Sequence, residues 1–427
     1  MILLPEQMAP EAEQQPSTPS ENQTPNTELP PEVDPPVVEP DPPVVEPDTP
    51  VVEPDPPVVE PDPPVVDPDP PVVPSDPTKV EYWLYHIANR PLTSDRDALN
   101  AIIRASGSVS DILSVKRNFT AAEISALISA YTLPKVGYLA SGERQPTSFF
   151  DFAQSNRDLL AVADTTAKTA LTVCKADIRA FPVANACYSD NLMQDLFQEA
   201  SLPTGTPVLL LHQSADGQFY FVYSYFYSGW IAADQLALAS EDAFALFANP
   251  DEFAVVTVPQ SANGLCMGTI LPLISQNENG VVVALPDGGT AMLSHFEVSI
   301  GFMEPTVHNL LQLSFSLVGL PYAWGDKGTG VDCSGMYVAA FRCMGIFLPR
   351  NTGDMRGVKD ANYISLKEST LLDIPSALLI FRPGHVMLYL GTVEGKHYIL
   401  HAPGSGNFVR VDVLSRTDNL ISAFAPL

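Results

Sequence analysis

Apolar positions along the 427-residue chain change their spacing several times, and each change marks a region. From Asp34 to Ser75 a Pro-Val-Val pattern returns every seven residues, through DPPVVEP, DPPVVEP, DTPVVEP, DPPVVEP, DPPVVDP and DPPVVPS. Proline at nearly every turn forbids a helical hydrogen-bond ladder, so this is no coiled coil. The stretch is expected to be extended polyproline II, and at about 3.1 Å per residue Asp34–Pro77 would reach roughly 140 Å. It reads as a spacer or as a solubilising tail. Next, Asp97–Ala105 and Thr120–Tyr131 place apolar residues at helical spacing, with Thr120 as an N-cap before Glu123. Between about 169 and 300 the texture turns to strands. Pro207–His212 and Gln218–Tyr225 flank a Ser-Ala-Asp-Gly turn, and Gly280–Leu285 and Thr290–Leu293 flank Pro-Asp-Gly-Gly.

The last 127 residues repeat neither pattern. A helix is expected from about Val307 to Leu317. A glycine-rich loop then runs into a second helix through Tyr337, Val338, Phe341 and Met344, with Gly345 as its stop. Strands follow at His385–Gly391 and His397–His401, joined as a hairpin across Thr392–Lys396. The order predicts an α+β domain, preceded by two small β-barrels, a small helical domain and a disordered Pro-rich tail. The expected limits are 1–78 for the acidic tail, 79–168 for the helical domain, 169–240 and 241–300 for the barrels, and 301–427 for the last domain.

Charge sharpens this division. The formal net charge is −28, yet residues 1–78 hold 18 acidic and no basic side chains, and residues 301–427 are balanced at ten of each. The acidity belongs to the tail. An acidic chain has no basic field with which to bind nucleic acid through phosphates. No run of about 18 apolar residues offers a membrane-spanning helix. The start, Met1-Ile-Leu-Leu-Pro, lacks the apolar stretch of a signal peptide. Either the protein is cytoplasmic or an export signal has been lost from this sequence, and the spacer favours the second. Five cysteines are too few for a disulfide scaffold, although spacing leaves a Cys174–Cys187 pair open.

Candidate chemistry concentrates at Asp332-Cys333-Ser334-Gly335. Asp332 is a suitable N-cap, which sets Cys333 in the first turn of a helix, where free N–H groups favour thiolate over thiol. The same groups could stabilise an oxyanion, and Gly335 would let another backbone approach closely. Cys343, late in that helix, is expected to pack against the sheet. A thiolate needs a base, and His385, His397 and His401 lie downstream. Side chains alternate along a strand, so if Gly391 pairs with Gly395, His385 sits directly opposite His401. A slip of one residue would separate them. Cysteine, histidine and an orienting third group form the general nucleophilic arrangement. No metal or cofactor is required.

These segments resemble an NlpC-type cysteine peptidase, a papain-like bacterial cell-wall hydrolase. The resemblance is carried by PYAWG (321–325), DCSG (332–335), LPRNT (348–352), GHVMLYLG (384–391) and HA (401–402). The preceding region is similar to a helical stabilising domain followed by two bacterial SH3-like domains, through GTPVLLLH, DG and YSGWI. The resemblance implies hydrolysis of the γ-D-glutamyl bond to a diamino acid in peptidoglycan stem peptides. Cys333 would be the nucleophile, His385 the base and later the acid, and His401 the orienter. Tyr322 would lie at the oxyanion site, Asp332 and Ser334 would shape the substrate cleft, and Tyr227 would help close the pocket. Arg350 has the place of a structural arginine. Relatives that require a free N-terminal L-alanine carry Asp-Ser after this arginine, where the present chain has Asn351-Thr352. Asparagine lacks the charge, and charge-assisted bonds are about twice as strong. Stems still joined to glycan therefore become candidate substrates.

Two other functions compete. One is a muramoyl–L-alanine amidase or an acyltransferase on the same scaffold; the other is a non-catalytic wall-binding protein. A peptidoglycan substrate implies a cell-envelope location, periplasmic and with an N-terminal lipid or envelope anchor left open. A monomer is expected.

Overall fold

The computed structural model describes residues 73–358, 362–364, 375–414 and 422–425. The heptad repeat, and with it the expected disorder of the Pro-rich tail, lies outside the described residues except for Val73–Ser75.

Helices open the described chain at Val80–His86, Arg96–Ala105, Ala121–Ser129 and Thr147–Ser155. The expected cap at Thr120 is present as a reciprocal capping box with Glu123. These helices divide among three cores, the last helix burying Ala153 against Phe181 and Phe197. Trp83, Leu99 and Ile103 pack with the C-terminal helices, whereas Ile124 and Ile128 pack with Phe221 and Trp230 of the following sheet. Each helix is too short to hold itself together in water, so burial of its apolar stripe is what stabilises it. Asn100 fastens the first core: its side chain donates to Gly345 O at 2.7 Å and accepts from Phe347 N at 3.0 Å.

The first β-unit is a seven-stranded antiparallel sheet, in the order Gln198–Leu202, Ala176–Arg179, Ser228–Ala232, Phe219–Tyr223, Pro207–Gln213, Lys168–Thr172, Leu236–Leu238. Alternation decides its faces: Phe219 and Phe221 enter one cluster with Trp230, while Val222 enters another with Ile178 and Ile231. The second β-unit has five strands, in the order Thr290–Leu293, Gly280–Ala284, Ile270–Asn277, Phe253–Val256, Val298–Ile300.

The C-terminal domain is α+β. Helices Val307–Ser316 and Gly335–Cys343 pack against a six-stranded sheet ordered Asn362–Ile364, Ser422–Ala425, Leu378–Arg382, His385–Val393, Lys396–His401, Arg410–Val413. Val386, Leu388, Leu390 and Leu400 face these helices, and Met387, Tyr389 and Ile399 face the other side. Helix Gly335–Cys343 ends as expected: Gly345 has φ +72°, and its N–H returns to Arg342 O. Cys343 lies in the core shared by these helices and the C-terminal sheet, and its thiol also donates to Val256 O of the second β-unit at 3.3 Å. All five cysteines are free thiols.

Candidate active site

Local chemistry builds the nucleophile turn. Helix Gly335–Cys343 begins after Ser334, so Cys333 lies just ahead of the helix rather than in its first turn. Asp332 supplies the cap: its Oδ1 accepts from Ser334 N at 3.1 Å and Gly335 N at 2.8 Å. Its other oxygen accepts from Gly325 N at 3.0 Å. Arg350 grips the same carboxylate with two donors, at 3.1 and 2.6 Å, and reaches Asp326 at 3.1 Å. Burial pushes Asp332 up, but Arg350 and the amides of Gly335 and Gly325 outweigh it and hold the carboxyl below its ordinary range. Asp326 has less compensation, and burial raises it. Gly335 is required here because a Cβ would fall 1.9 Å from Asp326 Oδ1. The close approach is by a side chain, not by the backbone expected from the sequence. Asp332 and Ser334 are both buried and direct their polar atoms to this network, so they bear on the cleft through the shape of the loop.

The first β-unit holds the same loop from outside. Trp324 Nε1 donates to Gln198 O at 2.8 Å, Ser201 Oγ donates to Gly325 O at 2.9 Å, and Lys327 pairs with Asp195 at 2.8 Å.

The surroundings of Cys333 work against the expected thiolate. Burial, followed by the Asp332 charge, pushes the Cys333 thiol up to about 11. A cap carboxylate beside the sulfur and the loss of water outweigh the attraction of the helix end. The Val386 N–H and the Thr352 hydroxyl, 3.9 Å away, act in the opposite direction on the sulfur.

Val386 is the neighbour of His385, which brings Cys333 to the start of the hairpin. One hydroxyl sets that distance. Tyr337, on helix Gly335–Cys343, accepts from Leu388 N at 2.8 Å and donates to Leu400 O at 2.6 Å. Leu388 and Leu400 are direct partners across the two histidine strands, so Tyr337 ties the helix to both strands at once.

The register differs from the one expected. The strands turn through Glu394-Gly395, both at positive φ, and pair Val393 with Lys396, Thr392 with His397 and Gly391 with Tyr398. A bulge between Tyr389 and Gly391 then absorbs one residue, giving Tyr389 opposite Ile399 and Leu388 opposite Leu400. Extended by one step, this sets His401 across from Met387 and diagonal to His385, on the same face. The histidines are joined by a hydrogen bond of 2.9 Å between His385 Nε2 and His401 Nδ1. His397 lies apart from them, against Tyr389 and Thr392. Burial, then the neighbouring His401 and Arg382, hold His385 down to about 3. Burial thus acts against charge on both the Cys333 thiol and the His385 imidazole.

Two residues that sequence reasoning missed complete the arrangement. Asp412 Oδ2 lies 3.0 Å from His401 Nε2 and is also held by Arg410 Nε at 2.8 Å. Glu199 Oε2 accepts from Tyr227 OH at 2.6 Å. Burial raises the Glu199 carboxyl, opposed by Tyr227 and by the Arg350 charge. Asn351 bonds Tyr227 and donates to Asp354 at 3.1 Å. Tyr227, Asn351 and Thr352 are thus brought together beside Cys333. Tyr322 lies close enough to feel the Cys333 and Asp332 charges; burial and these charges raise its hydroxyl, leaving it a donor. The only signal for Glu199 was an acidic residue in a short run of small and apolar neighbours, and for Asp412 the alternation of Arg-Val-Asp-Val.

Residues 319–419 match the NlpC/P60 family, and residues 190–232 match an SH3 domain of the SH3b1 type. The gamma-D-glutamyl-L-lysine dipeptidyl-peptidase of Bacillus subtilis (strain 168) is 27% identical over 201 residues, 45% of this chain and 65% of its own length. Dipeptidyl-peptidase 6 of Lysinibacillus sphaericus is 35% identical over 107 residues, 25% of this chain and 36% of its own. The chain therefore spans less than two thirds of either relative. An NlpC/P60 endopeptidase from Photobacterium damselae subsp. piscicida superposes with a TM-score of 0.63 at 17% identity, covering 78% of this chain and 89% of that one, which establishes the shared fold.

Proposed function

Given an NlpC/P60 domain at residues 319–419, we propose that the chain is a peptidoglycan hydrolase that cleaves the γ-D-glutamyl–diamino acid bond of stem peptides as a cysteine peptidase. The observation that carries this is the hydrogen-bonded His385–His401 pair beside the Val386 amide that bonds the Cys333 sulfur. Cys333 attacks the γ-carbonyl, His385 takes its proton and returns it to the leaving amine, and Tyr322 with the Cys333 amide faces the oxyanion.

Glu199 bears on the substrate. Asn351 lacks the charge that would bind a free L-alanine ammonium, but the Glu199 carboxylate stands beside Tyr227, which itself bonds Asn351. The negative charge is supplied from the first β-unit instead of the peptidase domain. This favours stem peptides with a free amine, in keeping with the dipeptidyl-peptidase names of the relatives. Intact wall is the second substrate, favoured by Asn351 itself. The domain limits given above, a monomeric state and an envelope location belong to the same proposal; among the described residues no helix is long and apolar enough to cross a membrane.

Mass spectrometry of products from free L-Ala-γ-D-Glu-diaminopimelate and from the same stem on a muramoyl sugar tests it. Cleavage after γ-D-Glu is expected, faster for the free peptide, with Cys333→Ala slower by about a thousandfold or more. Unchanged cleavage in that variant would end the cysteine-peptidase assignment.

A further inference from the structure

Resting on the assignment of Cys333 and His385 above, we propose that Asp412 is a positioning residue that sets the direction of the histidine chain and thereby makes His385 Nδ1 the proton acceptor. The inference follows from counting protons. Two neutral imidazoles share four ring nitrogens and two N–H protons. Asp412, ionised and fixed by Arg410 through contacts of 3.0 and 2.8 Å, can only accept. Its 3.0 Å contact with His401 Nε2 therefore requires the proton of His401 on that atom. His401 Nδ1 is then bare and can only accept, so the 2.9 Å bond between the rings is donated by His385 Nε2. That leaves His385 Nδ1 with a lone pair.

Without Asp412 the chain can run in reverse. His401 Nδ1–H would donate to His385 Nε2, and His385 would carry its proton on Nδ1. Both directions make the same bond between the rings, so the hairpin alone does not choose. The reversed form offers the nucleophile a proton instead of an acceptor.

In the forward form the step balances. The thiol proton passes to His385 Nδ1 as the sulfur–carbon bond forms and the carbonyl π pair moves to oxygen. The same proton leaves with the amine as the carbon–nitrogen bond breaks. Water then donates a proton to Nδ1 as its oxygen displaces the thioester sulfur, which takes that proton back. The charged groups around the pair are Arg382 from the neighbouring strand, Arg410 and Asp412 from the edge strand, and Asp332 beside Cys333. Both arginines oppose the transient imidazolium, and Asp412 is the carboxylate that favours it.

The test uses nitrogen-15 histidine spectra and Cys333 alkylation by iodoacetamide across pH, on the whole chain and on Asp412→Ala. Asp412→Asn, which keeps the shape, is the second variant should Ala disturb folding. In the parent, protonated Nε2 and bare Nδ1 are expected on both rings. In Asp412→Ala a mixed pattern is expected, with alkylation slower and kcat lower by about tenfold to a hundredfold, a fraction of what a general base contributes, and KM little changed. Added formate is expected to restore part of the rate. An unchanged ring pattern and alkylation profile in a folded variant would overturn the proposal. Neither readout needs a peptide substrate. A parent that fails to cleave stem peptides yet shows the ring pattern would remove the functional assignment and leave the tautomer assignment standing.

Discussion

The two β-units, sheets of seven and five strands, meet helix Gly335–Cys343 differently: the first holds the loop ahead of it and also reaches its rear, where Tyr225 OH accepts from Arg342 at 2.7 Å. It grips that loop through Trp324, Gly325 and Lys327, and its Tyr227, bonded to Glu199, reaches Asn351, the neighbour of the Thr352 that faces Cys333. The second meets the rear of the helix. Val256 O receives the Cys343 thiol, and Gly268, at φ +79°, lies so close that a Cβ would stand 3.2 Å from Ala339 O. The first unit therefore contributes polar groups to the candidate site, and the second supports the far end of the helix.

Four experiments press on this contrast. The largest effect is expected at Arg350, which links the loop gripped by the first unit to the cap of the helix. Arg350→Met leaves Asp326 and Asp332 as buried carboxylates without their cation, a loss of about 3–5 kcal/mol in urea unfolding. A stable, active variant would show that the first unit holds the loop without it. Next comes Glu199→Gln. A hydrogen bond to a charged group is worth about 1.5–3 kcal/mol, so kcat/KM for the free-amine peptide should fall by about tenfold to a hundredfold. The muramoyl-linked stem should be affected little, and equal losses on both would mean that Glu199 merely supports Tyr227.

Gly268→Val addresses the second unit. It strains a left-handed backbone position against Ala339, at a cost of about 1–3 kcal/mol. Melting temperature should drop while KM for either substrate stays unchanged; a raised KM would place the second unit in the site after all. A fourth effect, small per pH unit, is a pH slope common to all these variants. His385 is held to about 3 in the fold against 6.5 when free, so between those values the unfolded chain binds a proton that the folded chain refuses. Stability should accordingly rise with pH across that window, by at most about 1.4 kcal/mol per unit for each such histidine. His385→Gln should flatten the slope; an identical slope would assign it to other groups.

What the sequence made legible was chemistry written within a few residues. Cys333, His385 and His401 sat in recognisable local settings, as did the Thr120 capping box and the Gly345 stop. Charge at a distance was hidden. Glu199 lies 134 positions before Cys333 and reaches the site only through the packing of a separate sheet. Asp412 acts along a strand diagonal that depends on a register no alternation rule supplies. The thiolate expectation met opposing surroundings for a related reason: the helix end was visible in the sequence, but burial and the orientation of the Asp332 carboxylate were not.

The bulge at Leu390 carries a consequence for how such a sequence can change over descent. Which way His401 faces depends on this bulge as well as on the number of residues between the histidines. Loss of Leu390 would straighten the strand and leave Gly391 opposite Tyr398 and Tyr389 opposite Ile399, so the two rings would keep their relation. Loss of one residue from the partner strand, with turn and bulge kept, would set His401 opposite Leu388 and turn it toward the core. Tolerance to a change in length thus differs between the two strands, and the spacing between the histidines carries information that neither histidine carries alone.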